Sequence, residues 1–392
     1  MNIRLVDYQS TSAAGLNIAD LRSSIETQKS GLKLNDLHRC EINTMVGRVS
    51  AIENVDLGEW QSRNNALAYL GYQQGEIDHH IQRLKERFSP EKLGVVMGSS
   101  TASIDRTEEA YCYLEDNGFS AEFMQRKVHN PHSPGLYIAH LSGITGPAIT
   151  INTACSSSAK VFATGARWLN QGVVDAVLVG GVDTLCLSVM YGFDSLQLIS
   201  KQMCKPFDQH RDGINLGEAS GYAILMRDDD CDIGTNITLR GYGESSDAYH
   251  MSHPHPEGLG ARYAMQKSLD MALLTSKQVD YINLHGTASR ANDLIEGKLV
   301  AEMFPKTTQV SSTKAFMGHT LGAAGITESL IAVNALQTNV VPGSLNLTEL
   351  DSELELSIQS ENLEKPLEHV MSNSFGFGGN NCSLVFGKDT TH

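Results

Sequence analysis

The pattern of apolar and polar residues along the chain predicts strands that alternate with helices. Residues 147–153 are rich in β-branched side chains, residues 156–171 have helical spacing, and residues 173–183 form an apolar run closed by a Gly-Gly turn. The order recurs later, where the strand-like VDYINLHG and TTQVSSTKAFMGH precede the small-residue helix LGAAGITESLIAVNALQ. This alternation favours an α/β fold of stacked layers with parallel sheets.

The recurrence indicates an internal duplication. Each half contains a strand, a reactive-looking loop and a helix rich in alanine and glycine, and such helices can pack closely at the centre of a fold. The charged run RDDDCDIG, residues 227–234, is the clearest change in composition. It predicts an N-terminal half over residues 1–230 and a C-terminal half over residues 231–392.

Composition narrows the class of protein. At 392 residues the chain is too long for one small core, and its 41% apolar and 19% charged content is typical of a soluble globular protein. A net charge of −15 argues against non-specific nucleic-acid binding. Seven widely spaced cysteines without CxxC favour a reducing compartment over a disulfide framework or a zinc site. Without a signal-like or membrane-spanning apolar run, we expect a cytoplasmic protein with no membrane insertion.

One cysteine stands in a distinctive setting. Cys155, in NTACSSSAK, follows a β-branched run and precedes a predicted helix. The thiolate is the reactive form of cysteine, and a helix N-terminus favours that anion, so Cys155 is a candidate nucleophile. The alternative is a small buried residue without a chemical role.

Two histidines lie in matching contexts. His285, in NLHGTAS, and His319, in TKAFMGHTLGAAG, each follow a strand-like segment beside glycine, and Lys314 lies five residues before His319. With a candidate thiol these residues form a possible catalytic constellation. The glycine-rich SNSFGFGGNN, residues 372–381, predicts a strand that passes a reacting centre and presents N–H groups to it, or else a β-bulge or tight turn.

Five segments together resemble a known family. NTACSSSAK, PFDQHRDGINLGEASG, NLHGTAS, STKAFMGHTLGAAG and MSNSFGFGGNN are similar, in order and spacing, to the signatures of β-ketoacyl-[acyl-carrier-protein] synthases. They resemble most the Cys–His–His condensing enzymes of fatty-acid and type II polyketide synthesis, because the Cys–His–Asn initiating enzymes carry Asn in place of His319. The resemblance is dense from about residue 93 to 387. It implies a thiolase-like fold, in which two duplicated α/β halves form five layers, αβαβα.

The resemblance also implies roles for individual residues. Cys155 would accept the acyl chain from a carrier-protein thioester, with the backbone N–H groups of Cys155 and Phe377 as the oxyanion hole. His285 and His319 would stabilise the enolate left when CO2 departs from a malonyl thioester. Lys314, paired with Glu328, would organise the site.

Further positions carry supporting roles in the family. Thr287 and Ser289 would contact the pantetheine arm or the malonyl carboxylate, Asp293 would be structural, and Phe377 would gate the acyl pocket. Beside that gate, substrate-binding roles fall to Phe375, Gly376 and Gly378. The reaction implies no catalytic metal or organic cofactor. The positions matching a structural monovalent-cation site in the family are Asn283, Glu328, Ser372 and Asn373.

Departures from the family pattern bear on pathway and partner. Ile214 replaces a usual aromatic, Asn380 a usual threonine, and LVDYQSTSAAG the usual first turn. The helix expected to dock the acidic acyl carrier protein offers only Arg63, so docking could pass to a partner subunit or to other basic residues: Arg126, Lys127, Lys201 and Lys205. These departures favour a specialised pathway, such as type II polyketide or aryl-polyene assembly, over housekeeping fatty-acid elongation.

Alternatives remain at this point. The chain could be a non-catalytic subunit resembling a chain-length factor, or a thiolase or cysteine acyl-hydrolase. A thiolase would need a second cysteine near the C-terminus, where Cys382 lies. We expect either a homodimer or a heterodimer with a chain-length-factor-like homologue. The motif YHMSHPHPEG has metal-like histidine spacing, but a surface loop near the pocket mouth is the favoured interpretation, with adventitious metal binding during purification.

Overall fold

A computed structural model describes residues 3–53, 55–116, 118–231 and 234–389. The helices are α1 (Ile18–Glu26), α2 (Arg63–Tyr72), α3 (Ile77–Arg87), α4 (Ile104–Cys112), α5 (Ser133–Ser142), α6 (Ser157–Asn170), α7 (Leu187–Ser195), α8 (Leu259–Ala272), α9 (Arg290–Met303), α10 (Lys314–Met317) and α11 (Ala324–Thr338). The strands are β1 (Ile3–Ser12), β2 (Lys33–Leu34), β3 (Met45–Gly47), β4 (Leu93–Gly98), β5 (Ala148–Ile151), β6 (Ala176–Asp183), β7 (Leu216–Gly217), β8 (Ala219–Arg227), β9 (Ile237–Ser246), β10 (Tyr281–Asn283), β11 (Gln309–Ser311), β12 (Val340–Val341), β13 (Leu363–Glu364), β14 (His369–Gly376) and β15 (Asn380–Lys388).

A ten-stranded sheet runs through the molecule in the order β11-β10-β14-β15-β9-β1-β8-β6-β4-β5. It consists of two five-stranded parts, β11-β10-β14-β15-β9 and β5-β4-β6-β8-β1. Counted from its outer edge, each part contains its third, second, fourth, fifth and first strand in chain order. The parts meet where β1 pairs with β9 through Ile3 with Leu239 and Arg4 with Thr238. The division of the chain at residues 230 and 231 stays a prediction.

Strand directions differ in part from the expected parallel sheets. In the first part β4 is parallel to β5 and β6, and in the second β10 is parallel to β11 and β14. The pairs β6–β8, β1–β8, β14–β15 and β15–β9 are antiparallel. The short turn between β14 and β15 leaves no room for a crossover, which requires those two strands to be antiparallel.

Helices α6 and α11 pack against each other between the two parts of the sheet. A Cβ atom on Gly325 would lie 2.3 Å from the backbone nitrogen of Ala159, so only glycine permits this approach. The N–H of Ile326 donates to the Ser158 hydroxyl at 2.8 Å. Every residue of α11 from Ala324 to Leu336 is buried, as expected for a central helix. Helices α2 and α5 cover the outer face of the first part, and α8 covers that of the second.

The predicted elements near the site agree with the structure within a few residues, with one error. Gly180 and Gly181 lie inside β6 and do not close it. A Cβ atom on Gly181 would lie 2.4 Å from Cβ of Ser158, so this glycine lets α6 approach the strand. The charged run begins with a short turn at Asp228–Asp230, and Asp228 pairs with Arg4. Asp232 and Ile233 of that run lie outside the described residues.

Across the part of the chain that the structure describes, no helix combines the length and apolar character needed to cross a membrane.

Candidate active site

A strained turn presents the sulfur of Cys155. Cys155 lies between β5 and α6, and Ala154 before it has a left-handed φ of 53°. Such a conformation costs a non-glycine residue about 1–3 kcal/mol. Two hydroxyls hold the turn: Ser156 donates to the Thr153 carbonyl at 2.9 Å and Ser157 to the Ala154 carbonyl at 2.6 Å. A strained turn persists only where the surrounding structure holds it in place, so the Cys155 sulfur is kept in one position.

His319 contacts the cysteine directly. Its Nε2 atom lies 2.9 Å from Sγ of Cys155, and both side chains are buried. Burial raises the pKa of the Cys155 thiol to about 11, against the opposing effects of the Lys314 charge and a hydrogen bond with the Phe377 backbone. Burial and the same lysine hold the pKa of His319 well below 6.5. The two groups therefore rest as a neutral thiol and a neutral imidazole. Desolvation therefore opposes the thiolate that the N-terminus of α6 would favour.

Lys314 fixes His285. The lysine Nζ donates to the His285 carbonyl at 2.5 Å, lies 3.4 Å from its Nδ1 and forms a buried ion pair with Glu328. An ammonium group has only donors, so Nδ1 of His285 faces it with a lone pair and Nε2 carries the proton. Burial, followed by the Lys314 charge, lowers the pKa of His285 well below 6.5. The predicted pairing of Lys314 with Glu328 is present.

The three predicted reactive side chains converge. The rings of His285 and His319 have centroids 5.4 Å apart and planes 85° apart. One nitrogen from each ring and Sγ of Cys155 all lie within 4.8 Å of one another. A substrate atom placed between them would be in reach of all three groups.

The glycine-rich segment forms the turn between β14 and β15 beside Cys155. A Cβ atom on Gly376 would lie 3.2 Å from the Cys155 backbone nitrogen and 3.0 Å from the Thr153 carbonyl oxygen. Gly378 has a φ of 76° and Gly379 one of 71°. The segment therefore forms a tight turn, and its backbone also passes close to that of Cys155. It brings the Phe377 N–H to the thiol.

A cavity of about 400 Å³ opens onto Cys155. The Phe377 ring lies 5.3 Å from that of Phe193, and the Thr287 hydroxyl donates to Ser289 at 2.9 Å. Ile214, in the place of a usual aromatic, is part of the wall. The predicted residues that line the cavity are Cys155, His285, Thr287, Ser289, His319, Phe375, Gly376, Phe377 and Gly378.

Asp293 and Glu296, both on α9, accept hydrogen bonds from the loop that carries His285. Asp293 accepts the N–H of Phe207 at 2.8 Å and of Ala288 at 3.2 Å. Glu296, which the sequence reasoning missed, accepts the N–H groups of His285 and Gly286, both at 2.8 Å. Burial raises the pKa of Glu296 to about 7. An acid one helical turn after Asp293 was the available signal.

Asp183 is a second missed residue. Its carboxylate accepts the N–H groups and hydroxyls of Ser100 and Thr101, the Ser99 hydroxyl and the Gly322 N–H. It thereby joins the end of β6 to the end of β4 and to the turn before α11. The sequence VGGVD carried no signal for so many donors.

Three of the four positions matching a cation site have unpaired buried oxygens within the described structure. They are Asn283 Oδ1, Glu328 Oε2 and Ser372 Oγ. Asn283 and Ser372 are register partners on β10 and β14. Asn373 instead accepts a hydrogen bond from Ser383 at 2.8 Å. Oxygen donors of this kind fit a hard cation.

Arg63 is not available for docking. Its guanidinium forms two hydrogen bonds of 2.7 Å with the fully buried Glu218, so its charge is used inside the fold. Lys127 pairs with Glu59 at 2.5 Å. Arg126 and Lys201 are exposed, and Lys205 is half-buried. Among the basic residues considered for docking, Arg126 and Lys201 are therefore the exposed ones without the internal pairing that Arg63 has.

Cys382 lies in the buried core of β15, away from the residues that line the cavity. A second reactive cysteine for thiolase chemistry is not supplied there. His253 and Pro254 of the YHMSHPHPEG motif do line the cavity, at its mouth.

Comparisons with known proteins agree with this geometry. Family models match two stretches, residues 66–231 with "Beta-ketoacyl synthase, N-terminal domain" and residues 237–348 with "Beta-ketoacyl synthase, C-terminal domain". The chain is 32% identical over 361 residues to 3-oxoacyl-[acyl-carrier-protein] synthase 2 of Vibrio harveyi, covering 86% of each chain. It is 33% identical over 319 residues to the enzyme of that name from Coxiella burnetii, covering 76% of this chain and 75% of the other.

A solved structure is similar over nearly the whole length. It is the complex of a ketosynthase with its chain length factor from Xenorhabdus doucetiae. The matched chain is 33% identical, with a TM-score of 0.88, and the match covers 99% of this chain and 98% of the other.

Proposed function

This chain belongs to the β-ketoacyl synthase family and is a condensing acyltransferase, and we propose that it joins a cysteine-bound acyl chain to malonyl-[acyl-carrier protein]. The predicted family and the predicted thiolase-like α/β fold are confirmed by the similarities above. The observation that carries the proposed reaction is the contact of 2.9 Å between His319 Nε2 and Cys155 Sγ, with the second imidazole beside it.

In the first half-reaction, Cys155 attacks the thioester carbonyl of an acyl carrier protein. Its proton passes to Nε2 of His319, because a thiol of pKa about 11 needs a base in contact. The tetrahedral oxyanion accepts hydrogen bonds from the backbone N–H groups of Cys155 and Phe377. The carrier thiolate then leaves and takes the proton from His319, and the acyl chain remains on sulfur.

In the second half-reaction, malonyl thioester enters and loses CO2. The electrons of the broken C–C bond form an enolate, whose oxygen accepts the N–H of His285 at Nε2. His319 has returned its Nε2 proton to the departed carrier, so it donates to the same oxygen after its remaining proton moves from Nδ1 to Nε2. Both imidazoles are neutral donors because burial and Lys314 lower their pKa values. The enolate carbon attacks the acyl carbon, and the C–S bond to Cys155 breaks. The Cys155 thiolate takes up one proton from water in the cavity, which restores the thiol, and the β-ketoacyl carrier leaves. Loss of CO2 supplies the carbanion, so the scheme needs no organic cofactor.

Supporting residues keep these groups in place. Lys314, held by Glu328, orients His285, while Glu296 and Asp293 fix the loop that carries it. Thr287 and Ser289 line the cavity, where they would contact the pantetheine arm. Asn283, Glu328 and Ser372 would hold a monovalent cation through oxygens that have no hydrogen-bond partner, including the Glu328 oxygen that Lys314 does not contact.

We place the reaction in a specialised type II pathway in the cytoplasm. The X. doucetiae structure pairs a ketosynthase with a chain length factor, and its 33% identity over the full length supports a partner of that kind, or a second copy of this chain. The alternative that this chain is itself the non-catalytic subunit is disfavoured because Cys155, His285 and His319 converge.

The decisive experiment supplies acyl-carrier and malonyl-carrier proteins, and measures CO2 release and the mass of the Cys155 peptide. Wild type and the Cys112→Ala control should release CO2 and carry the acyl group on Cys155. Cys155→Ala should lose both acylation and product. Unchanged product formation by Cys155→Ala would instead support the scaffold subunit.

A further inference from the structure

The segment Tyr249–Pro256, here called the mouth loop, lies at the entrance of the catalytic cavity. Ser252, His253 and Pro254 line that cavity, whereas His250 and His253 are exposed to solvent. The proposed condensation uses none of the histidines in this loop. Their arrangement therefore calls for a separate explanation.

Two imidazoles of the mouth loop converge on one point. The Nδ1 atoms of His250 and His253 lie 3.2 Å apart, with ring planes at 78°. The Ser252 hydroxyl oxygen lies 3.1 Å from Nδ1 of His253 and 3.4 Å from Nδ1 of His250. The Ser252 N–H also donates to Nδ1 of His250 at 3.1 Å, which fixes a lone pair on that atom.

These distances match one face of a metal coordination tetrahedron. Nitrogen ligands at about 2.0–2.1 Å from zinc in tetrahedral geometry stand roughly 3.3 Å apart. Imidazole nitrogens favour Zn²⁺, Ni²⁺ and Cu²⁺ over hard cations. A bound ion would replace the Ser252 N–H on His250, while His253 would move its proton from Nδ1 to Nε2.

The mouth loop is tied to the turn that carries Phe377. The Gly378 N–H donates to the Met251 carbonyl at 2.7 Å, and the Asp247 N–H donates to the Gly379 carbonyl at 2.8 Å. Met251 lies between His250 and His253 in the chain, so an ion bound to both histidines would restrict the motion of the mouth loop. Because Met251 accepts the Gly378 N–H, it would also restrict the motion of the turn beside Cys155.

We propose that His250 and His253, with the Ser252 hydroxyl and water, form a binding site for a divalent transition metal, and that metal binding there slows access to Cys155. The site is distinct from the Cys155, His285 and His319 group. It does not depend on the proposed condensation, because both tests below are independent of turnover.

The first test titrates Zn²⁺ into Cys155→Ala protein, in which the catalytic sulfur cannot contribute. His253→Ala in that background removes one ligand and should weaken affinity at least tenfold, since even outer-shell losses typically cost about 10–100-fold. His255→Ala, whose ring lies in the same loop, is the matched control and should leave the titration unchanged. Equal affinities in His253→Ala and its parent would overturn the site.

The second test measures alkylation of Cys155 by iodoacetamide, read by peptide mass, with and without Zn²⁺. In otherwise wild-type protein Zn²⁺ should slow alkylation severalfold, and His253→Ala should lose most of that protection while His255→Ala keeps it. If His253→Ala is protected as strongly as wild type, the ion acts at the catalytic group and the proposed effect on access is wrong.

Discussion

Nε2 of His319 lies 2.9 Å from Sγ of Cys155, although 164 positions separate the two residues in the chain. The contact joins the turn after β5 to the loop before α11. Burial keeps both groups in their neutral forms, and the proton between them has one short path. Reactivity at this site therefore depends on the pair, and neither residue alone explains it.

Alkylation of Cys155 should show the raised thiol pKa. With the pKa at about 11, the thiolate fraction is small at neutral pH, and the alkylation rate should rise about tenfold per pH unit between pH 7 and 10. Peptide mass after timed iodoacetamide treatment measures this rate. The exposed Cys112 serves as an internal reference in each sample. A plateau below pH 8 would show that the thiol is already ionised there.

His319→Ala and His285→Ala should fail at different steps. His319→Ala removes the proton acceptor, so transfer of an acyl group to Cys155 should slow by about 10²–10⁴-fold. His285→Ala leaves the thiol contact intact, so Cys155 should still acylate while CO2 release from malonyl thioester is largely lost. Acylation is followed by intact mass and CO2 by a coupled assay. Equal acylation rates in the two variants would contradict the assigned roles.

Lys314→Met should damage both stability and activity. It leaves the Glu328 carboxylate buried without a partner, a change that typically costs about 3–5 kcal/mol. It also releases Nδ1 of His285 from its donor. Chemical denaturation measures the free energy of unfolding, and Lys201→Met, at an exposed lysine, is the matched control. A Lys314→Met protein as stable as that control would show that the ion pair contributes little to folding.

Glu296→Gln should flatten the dependence of stability on pH. The carboxyl has a pKa near 7 in the folded protein and 4.5 ordinarily. Its favourable contribution is therefore complete below pH 4.5 and disappears as pH rises through 7. Glutamine cannot ionise, so the free energy of unfolding should fall less between pH 5 and 8 than in wild type.

The same change replaces one acceptor oxygen by an amide that faces an N–H, which should lower stability by about 1–3 kcal/mol at pH 5. Glu355→Gln, at an exposed acid, should keep the wild-type slope. A Glu296→Gln slope identical to that of wild type would mean that Glu296 keeps an ordinary pKa in the fold.

Arg63 and Arg126 should separate folding from docking. Arg63→Met leaves Glu218 unpaired in the core, so stability should drop by about 3–5 kcal/mol with little change in KM for the carrier protein. Arg126→Glu reverses an exposed charge, so KM should rise and stability should hold. Denaturation and steady-state kinetics are measured on both variants. A rise in KM for Arg63→Met without loss of stability would restore Arg63 as a docking residue.

The sequence carried enough to predict the fold class and to single out three candidate reactive residues that lie together in the structure. Cys155, His285 and His319 each lie beside small residues after a strand-like run. This pattern is local in the sequence, so it can be recognised without knowing the fold. The central helices were also predictable, because alanine and glycine at positions such as Gly325 permit an approach that larger residues prevent.

Other features depended on partners far along the chain. The sequence around Arg63 is typical of an exposed basic residue on a helix. In the structure, however, its guanidinium pairs with the buried Glu218, 155 residues later in the chain. The pKa of Cys155 likewise follows from burial, which a sequence does not display. Asp183 accepts hydrogen bonds from residues that follow β4 and from the turn before α11, and no local sequence pattern indicates that these segments come together.

The division of the large sheet into two runs of five strands has a consequence for where the reactive residues lie. Cys155 follows a strand of one run and both imidazoles follow strands of the other, so the reactive group exists only when the two runs pack against each other. Either run produced alone would lack part of the reactive group and should be inactive, and activity regained on mixing the two would report that they had packed together again.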